Sequence, residues 1–352
     1  MNAISLFSGM GGDSLGLVQA GLSLVAYSEK EKVFRETHDL NFKHCDLLGK
    51  DYNSNISQIP DAEFAKYSGN VDVIFAGFPC QGFSNAGKKD INDVRNTLFR
   101  EFLRSASIIK PKYIIGENVK GLLNRKDAQG HLYIDVIVKE FEKIGYKVGY
   151  KVCKTEKYGI PQKRERLIII GILGATEEIT FPPEQSKQVG LQNIVTFNMK
   201  GAIKIEPEDF DMLSIPPACI LTDMTNDEGE NAVHPYLRLK AKTRDEVYLG
   251  KKWSNMLSFS KRDSPIHSEI VDIRKPSKTI ICTYSHQPRL LVPLRNKNGY
   301  YLRCLLPDEL KQIQGFPADY QIAGNDKQQI IQIGNAVPPG LIRQIVGHMM
   351  TM

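Results

Sequence analysis

Residues 3–21, AISLFSGMGGDSLGLVQAG, carry the pattern that decides the fold. Ala3–Phe7 is a short apolar run of the length of a buried strand. Ser8-Gly9 ends it, and glycines at 9, 11 and 12 allow the backbone torsions of a tight turn. Ser14–Ala20 then has helical spacing, and Gly21 stops it. Strand, glycine turn and helix in that order open an α/β unit whose turn amides and helix N-terminus face a ligand. The spacing is not G-x-G-x-x-G, because position 14 is serine, and that argues against a nicotinamide enzyme.

The alternation continues outward from this unit. Leu24–Tyr27, Val71–Ala76, Tyr113–Ile115 and Leu167–Gly171 read as further strands. Glu31–Asn41, Leu98–Ile109 and Ile134–Ile144 read as helices between them. Short apolar strands separated by helices predict a parallel sheet with helices on both faces. The character changes near Gly174. From 175 to 270 the chain is polar and weakly periodic, with acidic runs (Glu206 to Asp211, Asp223 to Glu230) and then basic residues from Arg238 to Arg262. This segment reads as a second, smaller domain spanning 175–270 after a first part at 1–174. Residues 271–352 would return to the first domain and end in a helix from Leu341.

The 352 residues suffice for one large domain with a sizeable core, or for a large domain plus a small one. A hydrophobic share of 41% and a charged share of 24% are ordinary for a globular chain, and a net charge of +6 fits a nucleic-acid partner without establishing one. The six cysteines form no C-x-x-C pair and have no histidine at metal-ligand spacing, so no metal is expected. There is no leader-like start, and the longest apolar run, Leu167–Leu173, is too short to cross a bilayer. The expectation is an intracellular, cytoplasmic protein with reduced thiols.

Several constellations carry chemistry. Glu29 closes the second strand, where an acidic residue binds a ribose diol in nucleotide-type folds. Gly77-Phe78-Pro79-Cys80-Gln81-Gly82 puts Cys80 at the carboxyl end of a strand, ahead of a polar loop from Gly82 to Asn96 with the composition of a lid. Glu117-Asn118-Val119 ends the next strand, so Glu117 shares a crevice with Cys80 and can bond a ring nitrogen. In Gln162-Lys163-Arg164-Glu165-Arg166, extended backbone puts Gln162, Arg164 and Arg166 on one face, suiting an anionic or carbonyl-bearing ligand. Gly334-Asn335-Ala336-Val337-Pro338-Pro339 leads into the last helix.

These blocks, in this order, resemble the cytosine-C5 DNA methyltransferase family over most of 1–172 and 272–350. The resemblance implies a Rossmann-like methyltransferase domain that uses S-adenosylmethionine and releases S-adenosylhomocysteine, with a target-recognition domain at 175–270. It assigns Phe7, Gly9, Gly11, Glu29, Asp46, Leu47, Pro79, Leu98, Asn335 and Val337 to the cofactor. Lys30 stands where the family often has an aromatic against adenine, and its stem would have to cover the ring instead. Cys80 matches the nucleophile, Glu117 the residue that grips the target base, and Arg164 and Arg166 the pair supporting it. The partner implied is double-stranded DNA with a flipped cytosine, read by a monomer of a restriction-modification system, with a companion endonuclease, or by an orphan modification enzyme. A tRNA cytosine-C5 methyltransferase and a non-catalytic DNA-binding homologue are the alternatives.

Overall fold

The computed structural model describes residues 1–79, 98–127, 129–204, 210–215, 221–222, 234–239, 269–285 and 290–352. Cys80, the polar loop from 82 to 96 and the basic stretch from 240 to 262 lie outside them. In chain order the strands of the first half are β1 (Asn2–Leu6), β2 (Ser23–Ser28), β3 (Asp46–Leu47), β4 (Val73–Ala76), β5 (Tyr113–Val119), β6 (Tyr146–Lys154), β7 (Gln162–Lys163) and β8 (Glu165–Leu173). The helices are α1 (Gly12–Gln19), α2 (Lys32–Asn41), α3 (Asp61–Ala65), α4 (Phe99–Ile109), α5 (Tyr133–Lys143), α6 (Pro307–Ile313), α7 (Asp326–Asn335) and α8 (Pro339–Met349).

Seven strands form one sheet in the order β3-β2-β1-β4-β5-β8-β6. The five from β3 to β5 are parallel, as expected. β8 departs from the expectation and runs antiparallel to both β5 and β6. The cause is the connection: only residues 155–164 separate β6 from β8, with one 3-10 turn at Thr155–Tyr158 and no α-helix among them. A parallel neighbour needs a crossover of about a dozen residues or more.

Period two along the strands sorts the core. Ile4, Leu6, Ile74, Ala76, Ile114, Leu167 and Ile169 are buried on one face against Phe102 and Ala106 of α4 and Ile137 and Phe141 of α5. Their neighbours Ala3, Val73, Phe75, Ile115, Ile168 and Ile170 are buried on the other face with Leu17 of α1 and Leu341, Ile342 and Ile345 of α8. Both faces are covered, so these strands read as continuous apolar runs and not as alternating ones.

A smaller sheet is built from β9 (Ile203–Lys204), β11 (Leu221–Thr222), β13 (Glu269–Ile270), β15 (Leu290–Asn296) and β16 (Gly299–Cys304). β10 (Phe210–Ile215) pairs with β12 (His234–Leu239), and β14 (Ser277–Lys278) pairs with β7. The small sheet therefore draws on both sides of residue 270, since β15 and β16 come from the expected return segment. The chain just past Gly174 packs on one covered face of the large sheet. Ile179 and Phe181 pack against the α1–α8 side of the core, and Thr180 Oγ1 lies 2.8 Å from His348 Nε2. Gly149 of β6 makes room for Ile179, because a Cβ there would stand 2.6 Å from it.

Candidate active site

The five parallel strands end on one edge of the sheet, the edge where open α/β sheets bind ligands. After β1 the chain turns left-handed at Phe7 (φ 56), Gly9 (φ 57) and Gly11 (φ 88). A left-handed phenylalanine costs on the order of 1–2 kcal/mol and persists only where its surroundings fix it. Here the Phe7 amide donates to Ser28 Oγ at 3.3 Å, the Ser8 amide donates to Ser28 O at 2.9 Å, and the ring packs on the α4–α5 side of the core. The Gly9 amide donates to Glu29 Oε2 at 2.9 Å, and the Glu31 amide to Glu29 Oε1 at 2.8 Å. Burial raises the Glu29 carboxyl above its ordinary pKa, and those two amides pull it back. Arg35 fixes the backbone around Glu29, its Nη1 donating to the carbonyls of Glu29 (3.0 Å), Lys30 (2.5 Å) and Asn53 (3.0 Å).

The other expected cofactor residues are placed around the parallel sheet. Asp46 and Leu47 form β3 and pair with Ala26 and Tyr27, so they lie one strand beyond Glu29. Asp46 is exposed, Leu47 half-buried and Lys30 exposed. Leu98 packs on the same core face as Phe7, and Pro79 is half-buried beyond the tip of β4. Val337 is buried, and its carbonyl oxygen would stand 2.1 Å from a Cβ on Gly12. Only glycine lets α1 begin there, and the return segment thereby closes on the Phe7–Gly12 turn. Asn335 ends α7 and is exposed.

One strand further along, Glu117 is only 9% exposed. Arg166 Nε donates to Glu117 Oε1 at 2.7 Å, and the ladder pairs Arg166 with Val119 of β5. Burial lowers the Arg166 pKa from its ordinary value and Glu117 opposes that, so the guanidinium stays a cation. Glu117 Oε2 points to the β4 tip, 3.8 Å from where a Gly77 Cβ would be, and the Phe7 carbonyl lies 3.7 Å from the same point. Asn118 Nδ2 donates to Phe78 O at 3.1 Å, fixing the peptide that leads into Pro79. The turn after β1, the β4 tip and Glu117 thus meet at Gly77.

Arg164 does something else. It is 2% exposed; its Nη1 donates to Ile280 O and Gly334 O and its Nη2 to Gly334 O, all at 3.1 Å. Gln162 shares its face, as the alternation predicts, donating through Nε2 to Gln314 and accepting from the Ile280 amide at 3.0 Å. Arg164 and Gln162 therefore tie β7 and β8 to the return segment, while Arg166 alone of the two arginines holds Glu117 in this structure.

Two groups near the turn escape a reading of the sequence. Asp13, in the first turn of α1, is 1% exposed and accepts from Ser5 Oγ. Burial pushes its carboxyl up to about 7, and the nearby Glu117 charge adds to that. Ser8 Oγ, Ser14 Oγ and His38 Nε2 form a buried chain with steps of 3.1 and 3.0 Å, and burial holds His38 down to about 3, so it is neutral. Neither carries a sequence signal, because both depend on neighbours from other elements. Among the described residues no cluster of three or more His, Cys, Asp or Glu is arranged to hold a metal ion, and no helix is long and apolar enough to cross a membrane.

The family model described as C-5 cytosine-specific DNA methylase matches residues 1–351. The chain is 32% identical to the type II methyltransferase M.PspPI of Psychrobacter sp. (strain TA137), over 96% of this chain and 76% of that one. It is 29% identical to the type II methyltransferase M1.HphI of Haemophilus parahaemolyticus, over 99% and 86%. Among solved structures, Spodoptera frugiperda DNMT2 shares the fold with a TM-score of 0.64 at 21% identity, covering 97% of both chains.

Proposed function

The chain belongs to the C-5 cytosine-specific DNA methylase family, and from that premise we propose that it methylates C5 of a cytosine within a particular duplex DNA sequence. S-adenosylmethionine is the proposed donor. The turn fits it: a Cβ on Gly9 would meet nothing within 4 Å, so the backbone there borders open space. The Glu29 carboxylate stands against that turn with lone pairs for a ribose diol, and α1 begins beside it. Phe7, Gly9, Gly11, Leu47, Pro79, Leu98, Asn335 and Val337 would enclose the donor, with Asp46 and the Lys30 stem toward adenine. When bound, S-adenosylmethionine supplies an electrophilic methyl group on a sulfonium and leaves as S-adenosylhomocysteine.

Cytosine C5 is a weak nucleophile, and the proposed work of the protein is to change that. Cys80 adds as thiolate to C6, which converts C5 into an enamine-like carbon able to take the methyl group. Glu117 hydrogen-bonds N3 through Oε2 and delivers a proton there as the thiolate adds. Arg166 holds Oε1 and orients the carboxyl. Arg164, committed to carbonyls, holds the return segment in place. Water then takes the C5 proton, N3 gives its proton back to Glu117, and the freed electron pair restores the C5–C6 double bond and expels Cys80 as thiolate. A stacked base is out of reach of all these groups, so the cytosine must leave the helix at a cost of roughly a few kcal/mol. The loop from 82 to 96 and the basic residues between 230 and 265 are the proposed phosphate and groove contacts. Residues 175–270 with the β15–β16 hairpin are the proposed recognition domain.

The observation that carries this reading is the Glu117–Arg166 pair, one strand from the tip that leads into Pro79-Cys80. The type II relatives support a restriction-modification setting with a companion endonuclease, and all the proposed site residues come from one chain, as a monomer requires. Bisulfite sequencing of DNA from cells expressing the protein tests it. One cytosine context is expected to be protected by the native chain and by no Cys80→Ser variant, while that variant still binds DNA in a salt-dependent way. Methylation by Cys80→Ser, or tritiated methyl transfer to tRNA and not to DNA, would overturn it.

A further inference from the structure

The proposed donor turn is held from the far end of the chain. Tyr320, between α6 and α7, is 5% exposed, and its hydroxyl donates to the carbonyl oxygen of Met10. The amide on the other side of the same peptide, that of Gly11, donates to Ser8 O at 2.9 Å. Both polar atoms of the Met10–Gly11 peptide are therefore tied. A Cβ on Gly11 would stand 2.8 Å from the Tyr320 hydroxyl oxygen and 2.7 Å from the Phe42 ring, so turn and tyrosine are in direct contact. The tyrosine is itself fixed. Its ring lies 4.7 Å from that of Phe316, and its carbonyl accepts from Lys311 Nζ at 3.0 Å. Burial keeps the phenol well above its ordinary pKa, so the hydroxyl remains a donor.

A turn with glycines at 9, 11 and 12 has torsional freedom that a ligand must remove on binding. We propose that Tyr320 is a positioning residue for the methyl donor, its hydroxyl locking the Met10–Gly11 peptide so that the turn is already in its binding conformation before the donor arrives. This rests on the reading of the Phe7–Gly12 turn as the donor site. Met10 is itself buried and restrains the turn by packing, so the hydroxyl accounts for one hydrogen bond's worth of affinity.

The test is calorimetric titration of S-adenosylhomocysteine into the full chain, into Tyr320→Phe and into Glu29→Ala. Tyr320→Phe keeps the ring and is expected to raise Kd about fivefold, the size of one ordinary hydrogen bond. The KM for the methyl donor should rise by a similar factor, the KM for DNA should hold, and kcat should fall by less than the donor KM rises. The shift in Tm produced by a fixed donor concentration should shrink. An unchanged Kd with a lower ligand-free Tm would make Tyr320 purely structural and overturn the inference. If Glu29→Ala also leaves Kd unchanged, the donor-site reading itself fails; if only Tyr320→Phe does, that reading stands and the tyrosine's role is lost. The native chain gives a readout that needs no variant. Its Gly11 amide is expected to resist hydrogen exchange without ligand, and rapid exchange quenched only by ligand would also overturn the inference.

Discussion

Asp13 is a carboxyl group placed where its charge is unwelcome. The Ser5 hydroxyl and the amides of Asp13 and Ser14 stabilise the anion, yet desolvation outweighs them, and the group titrates near 7 in the folded chain against 3.8 when unperturbed. A raised folded pKa means the folded state holds the proton more tightly. The stability it contributes is complete below about pH 4 and is lost as pH rises through about 7. Asp13→Asn keeps an oxygen for Ser5 and removes the titration. Relative to the native chain, this variant should gain stability steadily from pH 4 to pH 7.5, by up to about 4 kcal/mol at 1.36 kcal/mol per pKa unit. Urea unfolding at pH 4.5, 6.0 and 7.5 reads this, and a difference independent of pH would refute the buried acid. The sequence hides this residue. An acid in the first turn of a helix ordinarily faces solvent and favours the helix dipole, and its burial is decided by Ser5 on a different element.

At the scale of elements, α1 and α8 cross so closely that one glycine decides the contact. A Cβ on Gly16 would lie 2.6 Å from Pro339 O and 2.7 Å from Ile342 Cβ, whereas one on Gly347 of α8 would touch nothing within 4 Å. Alanine in a helix interior is worth about 1 kcal/mol over glycine. At Gly347 that gain stands alone, so Gly347→Ala should stabilise by about 0.5–1 kcal/mol. At Gly16 the added carbon meets backbone that cannot move aside, and overpacking of about 1–3 kcal/mol exceeds the gain. Gly16→Ala should therefore destabilise, and two denaturation curves with shifts of the same sign would contradict the crossing. Helices such as α2, α4 and α5 were legible because their apolar spacing is local. The nine residues of β6, YKVGYKVCK, were not, because their lysines interrupt an edge strand that needs only one partner. The direction of β8 was hidden for a related reason: connection length, not strand composition, sets it. The partners of the Arg164 guanidinium were hidden too, because nothing local reveals bonds to carbonyls 116 and 170 residues away.

On the scale of the whole molecule, the chain begins in the middle of its large sheet and returns to cover it. β1 is flanked by β2 and β4, and Ala3 on it shares a buried cluster with Ile345 and Met349 of α8. Between them the chain leaves to build the small sheet, and three links bring it back: Gly12 against Val337, Tyr320 on Met10, and Arg164 on Gly334. Neither end can bury its apolar face without the other, so the large domain should unfold as one unit despite being discontinuous in sequence. Ile345 is fully buried, and Ile345→Ala should cost about 2–5 kcal/mol in lost burial and cavity. If the two ends form one cooperative unit, that loss appears at the opposite end of the chain. Amides of β1, more than 330 residues away in sequence, should then lose hydrogen-exchange protection by the same free energy as those of α8. Protection of β1 that survives while α8 opens would mean that the first 174 residues hold together on their own, with the returning helix as a separable cover.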